Sequence, residues 1–172
     1  KDKFDAAVRS YNAVGNYLNS NIEAVVEIFP QGSFRLGTVI KPLSDEDDYD
    51  IDLVCKIKKE FYSPKALKDI VGEALKESDR YSKMLKKPEG KRCWTLEYSD
   101  EAQYHMDILP AIEDASYNID KKLKITNKNE LNGEYSFTTT NPEAYFEWFN
   151  NKQRQEIYRL TKEYAARQNK NI

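Results

Sequence analysis

The segment Asp50-Ile51-Asp52-Leu53-Val54 sets two acids into a run that is otherwise as apolar as a core strand. The stretch from Asp50 to Ile57 alternates and is rich in Ile, Leu and Val, which predicts a β-strand. Side chains alternate across a strand, so both carboxylates share one face, about 6.6–7 Å apart at ~3.3 Å per residue. Ile51, Leu53 and Cys55 take the other face. A fold that buries the apolar face must present the opposite one to something that tolerates two negative charges. Like charges this close repel and raise each other's pKa unless a cation stands between them. Mg²⁺ suits such oxygen ligands, because it keeps several waters and binds one or two carboxylates together with substrate phosphates.

The acids extend upstream through Asp45, Glu46, Asp47 and Asp48. Residues from Pro42 to Asp48 read as a solvated acidic loop. Asp48 is an alternative ligand, since Asp48-Tyr49-Asp50 has the same spacing. Asp50 with Asp52 is preferred, because Ile51 and Leu53-Val54 supply the buried opposite face.

A second acidic strand follows in Tyr104-His105-Met106-Asp107-Ile108-Leu109-Pro110. Asp107 is its single acid, flanked by Met106 and Ile108, and a lone charge in a core-like strand is costly unless paired or bound to metal. If the two strands are neighbours, Asp107 joins Asp50 and Asp52. Three acids around two metals roughly 3.5–4 Å apart serve in-line phosphoryl or nucleotidyl transfer. Gln31-Gly32-Ser33 supplies the other half of such a site. Gly lets the backbone approach a ligand, and successive N–H groups with a hydroxyl can cradle a phosphate. Gly-Ser alone is a turn dipeptide; followed within twenty residues by Asp-x-Asp on a strand, it points to a phosphate site.

The remaining pattern predicts the frame. Residues 4–18 carry Phe4, Ala7, Val8, Tyr11, Val14 and Leu18 at helical spacing, and 24–29 read as a strand ending at Pro30. Ser63-Pro64 caps a helix with Leu67, Ile70, Val71, Ala74 and Leu75 on one face, and Tyr81 to Leu85 extends it or starts a short second one. Cys93–Tyr98 and Gln103–Leu109 are strands joined by four residues, short enough for an antiparallel hairpin. Leu123–Thr126 and Tyr135–Thr138 form another around Asn132-Gly133, and helices follow from Asn141-Pro142 and over Arg154–Gln168. The order of elements predicts an α/β or α+β domain on a mixed sheet. The aromatics Tyr145, Phe146, Trp148 and Phe149 read as core, and His105, on the strand face of Asp107, as a supporting residue.

Charge and composition exclude several classes. Lys+Arg 27 against Asp+Glu 29 gives a net charge of −2, which argues against a broad nucleic-acid surface or a polybasic membrane anchor. No apolar run approaches the roughly 18 residues of a membrane span. Two isolated cysteines and one histidine cannot build a structural zinc site, and they fit a reducing cytoplasm.

Three stretches together, Gln31-Gly32-Ser33-Phe34-Arg35-Leu36-Gly37-Thr38, Asp50-Ile51-Asp52-Leu53-Val54 and His105-Met106-Asp107-Ile108-Leu109-Pro110-Ala111, resemble the polymerase-β-like nucleotidyltransferases. More narrowly they resemble the bacterial branch related to cyclic GMP-AMP synthase, the CD-NTases or second-messenger oligonucleotide synthases. The likeness runs from about Phe4 to Trp148. It implies a nucleotidyltransferase palm, a central mixed sheet flanked by helices, with the C-terminal helical lobe largely absent. Residues 1–150 would be the catalytic core and 151–172 the start of the helical segment. With Lys1 in place of Met, this reads as an excised core.

The resemblance also implies chemistry. Asp50 and Asp52 would hold both metals, Mg²⁺ or Mn²⁺, and Asp107 would complete the site and help deprotonate a ribose 3′-hydroxyl. Gly32 and Ser33 would position the donor triphosphate, with Gln31, Arg35 and Thr38 in the same nucleotide-binding motif. Substrates would be ATP and also GTP, UTP or CTP, and regulatory protein partners are implied. The product would be a cyclic di- or trinucleotide second messenger of anti-phage defence. Linear oligonucleotides, transfer to an RNA or protein end, or a silent nucleotide-binding module are the alternatives; three acids kept in apolar strands argue against the last.

Overall fold

A computed structural model of the chain describes residues 2–36, 49–58, 62–98, 104–115 and 122–168. Its elements are α1 (Asp2–Asn21), β1 (Val25–Gln31), α2 (Gly32–Leu36), β2 (Tyr49–Ile57), α3 (Pro64–Glu77), a 3-10 turn at Tyr81–Lys83, β3 (Trp94–Tyr98), β4 (Tyr104–Glu113), β5 (Leu123–Lys128), β6 (Tyr135–Thr140) and α4 (Pro142–Gln168). Thr38 and the acidic stretch through Asp48 lie outside the described residues.

The two acidic strands are neighbours. β2 and β4 pair in parallel at the middle of a six-stranded mixed sheet. Parallel neighbours need a long crossover, usually helical, and α3 lies in it. β1 pairs antiparallel with the other edge of β2. The far edge of β4 is shared: β3 pairs along Tyr104–Ile108 and β5 along Ala111–Glu113, both antiparallel. β6 closes the sheet beyond β5, and Gly133 takes φ +73° in the turn between them.

One face of the sheet carries the main core. Ile51, Leu53, Cys55 and Ile57 of β2 and Met106 and Ile108 of β4 pack with Val14 and Leu18 of α1 and Leu67, Val71 and Leu75 of α3. Each fully buried Leu or Ile contributes about 1.5–3 kcal/mol, so this face decides which side of β2 is left for the acids. The Ser63 hydroxyl accepts from the Ala66 N–H at 3.2 Å and caps α3. The other face is divided. Its lower part is apolar, with Val54, Leu109, Ala111, Leu123 and Ile125 in a second, smaller cluster; its upper part carries Asp50, Asp52 and Asp107.

Three boundaries differ from expectation. β1 continues through Pro30 to Gln31, which an edge strand permits because its outer side has no ladder to donate to. β4 continues past Pro110, which falls in the gap between the pairing with β3 and the pairing with β5. The two C-terminal helices are one, α4, as no Gly or Pro interrupts them. The aromatic set opening α4 is not all core: Tyr145 and Trp148 are each 54% exposed, their rings 5.7 Å apart. Farther along, Arg159 is tied to Glu156 and Glu163 on an exposed face.

Candidate functional site

Strand register lines up four polar residues across the sheet. Gln31 lies opposite Asp52, Asp52 opposite Asp107, and Asp107 opposite Thr95. Neighbouring strands lie about 4.8 Å apart, so Asp52 and Asp107 are lateral neighbours on one face. Asp50 stands two residues along β2 on the same face, its side chain 80% exposed. The three acids singled out by sequence thus share one face of the sheet, with Asp52 and Asp107 side by side. The Asp52 carboxyl is held above the usual carboxylate range, first by burial, then by the charge of Asp107, then by that of Asp50. Desolvation and two like charges all penalise its ionised form.

The Gly32 turn closes over Asp52. Gly32 has φ +62°, and a Cβ there would overlap Asp52 Oδ2 and stand 3.1 Å from Asp52 Cγ. A glycine is therefore required twice, for its left-handed backbone and for close approach to the carboxylate. α2 follows directly. Its Arg35 guanidinium lies 4.6 Å from the centre of the Phe146 ring and 5.6 Å from that of Phe29. A cavity of about 440 Å³ opens here, lined among others by Gln31, Gly32, Arg35, Asp52, Tyr145 and Phe146. Of the expected nucleotide-binding residues, Gln31, Gly32 and Arg35 meet Asp52 at this cavity. Ser33 is half-buried in α2 and is not among the residues lining it.

The third acid has a partner that sequence reasoning missed. Thr95 Oγ1 donates to Asp107 Oδ1 at 2.5 Å. Cys93 Sγ lies 3.9 Å from Thr95 Oγ1. Its thiol is pushed up to about 11, by burial foremost and next by the Asp107 charge, so it stays protonated at neutral pH. His105 flanks the acids as expected, with Nδ1 3.9 Å from Asp50 Oδ1 and Nε2 3.8 Å from Glu97 Oε1. Tyr145, exposed, and Phe146, half-buried, are further additions; two adjacent aromatics just after Asn141-Pro142 were their only sequence signal.

Among the described residues, no three Asp, Glu, His or Cys side chains stand close enough to enclose a metal ion. The chemistry of the donor set fits a hard divalent cation all the same. Asp50, Asp52 and Asp107 offer only oxygens, and burial first, then the charges of Asp107 and Asp50, disfavour the ionised form of Asp52, which a cation would favour. No helix among the described residues is long and apolar enough to cross a membrane.

Comparison with known proteins bears on this geometry. Residues 1–153 match the family described as Second Messenger Oligonucleotide or Dinucleotide Synthetase domain. The chain is 30% identical over 156 residues to a c-di-GMP synthase of Roseivirga ehrenbergii, spanning 87% of this chain and 39% of that protein. It is 31% identical over 147 residues to the cyclic dinucleotide synthase CdnG of Bradyrhizobium diazoefficiens, spanning 83% of this chain and 34% of that one. The solved structure of the Bradyrhizobium CdnG in complex with GTP superposes with a TM-score of 0.65 at 31% identity, over 83% of this chain and 40% of that chain. A c-di-GMP synthase, CdnE, from Capnocytophaga granulosa shares the fold with a TM-score of 0.62 at 18% identity, over 87% of this chain and 46% of that one. The chain thus spans between a third and two fifths of the length of the curated relatives it matches.

Proposed function

The chain belongs to the family of Second Messenger Oligonucleotide or Dinucleotide Synthetase domains, and on that premise we propose that it carries the nucleotidyl-transfer site of a metal-dependent synthase joining nucleoside triphosphates into a cyclic di- or trinucleotide. The observation that carries this reading is the juxtaposition of Asp52 and Asp107 in register, beside a positive-φ glycine that contacts Asp52 at the mouth of a cavity. Asp50, Asp52 and Asp107 would hold Mg²⁺ or Mn²⁺, which when bound neutralises triphosphate charge and makes an attacking hydroxyl more acidic.

The chain's own residues supply the rest. Gly32 lets backbone come close to the donor phosphates, and Ser33 follows it in the same turn. Gln31 stands beside Asp52 with an amide able to donate to a phosphate oxygen. Arg35 brings a positive charge whose orientation is fixed by stacking on Phe146. Tyr145 and Phe146 offer aromatic surface to a base at the same cavity. Asp107 would complete the metal site and so help deprotonate the ribose 3′-hydroxyl. Residues 1–150 would form the catalytic core. GTP is the first substrate to test, because the structural relative holds GTP and a sequence relative is a c-di-GMP synthase. Signalling in anti-phage defence follows from the family resemblance.

The test is incubation of the protein with α-labelled GTP and ATP and Mg²⁺ or Mn²⁺, followed by phosphatase. A phosphatase-resistant labelled product, lost in Asp52→Asn, is expected. A ladder of linear products would move the reading to chain extension, and nucleotide binding without any transfer would overturn it.

A further inference from the structure

Asp107 is the acid whose orientation the sheet itself controls, and we propose that Thr95 is its positioning residue: the Thr95 hydroxyl fixes one carboxylate oxygen so that the other is presented to the shared face with Asp52. The inference rests on the metal-site reading above and adds a residue from β3, a strand that contributes none of the acids.

The three acids are restrained in three different ways. Asp52 is pinned by the glycine turn, which leaves no space on one side of its carboxylate. Asp50 is 80% exposed and meets His105 only at 3.9 Å. Among the described residues, Asp107 is the one of the three that accepts a short hydrogen bond from a neighbouring strand, 2.5 Å from Thr95 Oγ1. That length is typical of a hydroxyl donating to an ionised oxygen, which is stronger and more directional than a neutral hydrogen bond. The donor's placement is not adjustable, because Thr95 is the direct cross-strand partner of Asp107 and a β-branched side chain in a strand has few χ1 choices.

The nearby thiol is the weaker partner: Cys93 Sγ lies 3.9 Å from Thr95 Oγ1, and a thiol is a weaker hydrogen-bond donor than a hydroxyl. The Asp107 carboxylate has two oxygens; with Oδ1 engaged by the Thr95 hydroxyl, Oδ2 is the freer one to ligate. A hydroxyl that orients a ligating carboxylate is worth about 10–100-fold in metal affinity or activity when removed.

The experiment measures Mn²⁺ binding by electron paramagnetic resonance of the free ion, with and without a non-hydrolysable GTP analogue. It compares wild type, Thr95→Val, Thr95→Ser and Asp107→Asn, with circular dichroism as the check on folding. Thr95→Val keeps the branched shape and removes only the hydroxyl. It is expected to weaken Mn²⁺ binding about tenfold or more. Thr95→Ser, which keeps the hydroxyl, should restore most of it, and the affinity for the analogue without metal should be unchanged. Thr95→Val binding Mn²⁺ like wild type would overturn the assignment of Thr95 and leave the nucleotidyltransferase reading standing. Wild type failing to bind Mn²⁺ at all would overturn the metal site first and this inference with it. Loss in Thr95→Val and Thr95→Ser alike, with folding intact, would also overturn it, since the hydroxyl would then not be what matters.

Discussion

Replacing Gly32 by Ala tests the site at its tightest point, and Gly133→Ala is the matched control. Both glycines have positive φ, +62° and +73°. Adding a Cβ in the left-handed region costs about 1–2 kcal/mol, partly offset by ~0.4–1 kcal/mol from a less flexible unfolded chain. Backbone conformation alone thus predicts a similar loss of about 1 kcal/mol in both variants, or roughly 2–4 °C in Tm for a chain of this size. The surroundings separate them. A Cβ at Gly133 meets nothing within 4 Å, whereas one at Gly32 overlaps Asp52 Oδ2. The Asp52 carboxylate or the turn must then move by about 1 Å, and a misplacement of that size at a reacting centre costs on the order of a hundredfold in rate. Thermal unfolding and GTP incorporation measured on both variants should therefore give similar or slightly greater destabilisation for Gly32→Ala, with a loss of about 10²-fold in transfer confined to it. Equal activity in the two variants would refute the argument that Gly32 is there to let backbone and carboxylate meet.

Asp52→Asn is expected to abolish transfer and to stabilise the apo protein at neutral pH. The folded-state pKa of Asp52 lies above its ordinary value of 3.8, so the folded form binds its proton more readily than the unfolded one. Its unfavourable contribution is absent below that ordinary value and grows as pH rises through the raised one. Melting curves of wild type and Asp52→Asn from pH 4 to pH 7 without metal should diverge as pH rises, with the variant ahead; parallel curves would count against the electrostatic account. At the opposite face, a Cβ on Gly72 would overlap the Trp94 ring and stand 2.9 Å from its Cη2, while the Trp94 indole N–H donates to the Lys68 carbonyl at 2.9 Å. Gly72→Ala should cost about 1–3 kcal/mol by overpacking, seen as a lower urea midpoint, with residual activity per folded molecule unchanged.

Much of the frame was legible because it depends on local pattern. The alternation in Asp50–Ile57 identified both the strand and the face its acids take, and burial of Ile51, Leu53 and Cys55 carries that out. Ser63-Pro64 and Asn141-Pro142 marked helix starts, and both caps form, with Ala144 N–H donating to Asn141 Oδ1 at 2.9 Å. The extents were less legible. Pro30 reads as a stop until its strand is known to lie at a sheet edge.

Register was not legible at all. A four-residue connection after Tyr98 pairs Tyr98 with Gln103, and hence Thr95 with Met106. The sheet instead pairs Tyr98 with Tyr104, and Thr95 falls opposite Asp107. One residue of slip moves a side chain to the other face, which is why Thr95 was invisible from sequence. The cavity aromatics were hidden for a related reason: whether the start of α4 is buried or borders a cavity depends on where α2 lies beside it.

By itself, then, the sequence determined the strand face that Asp50, Asp52 and Asp107 share and where the capped helices begin, since alternation and capping act over neighbouring positions. Only the tertiary structure decided which acids stand side by side, what touches them, and that Gly32 has no room for a side chain. Those facts depend on which strands pair and in what register, where the balance of packing on the far face of the sheet, and not any local preference, selects the register.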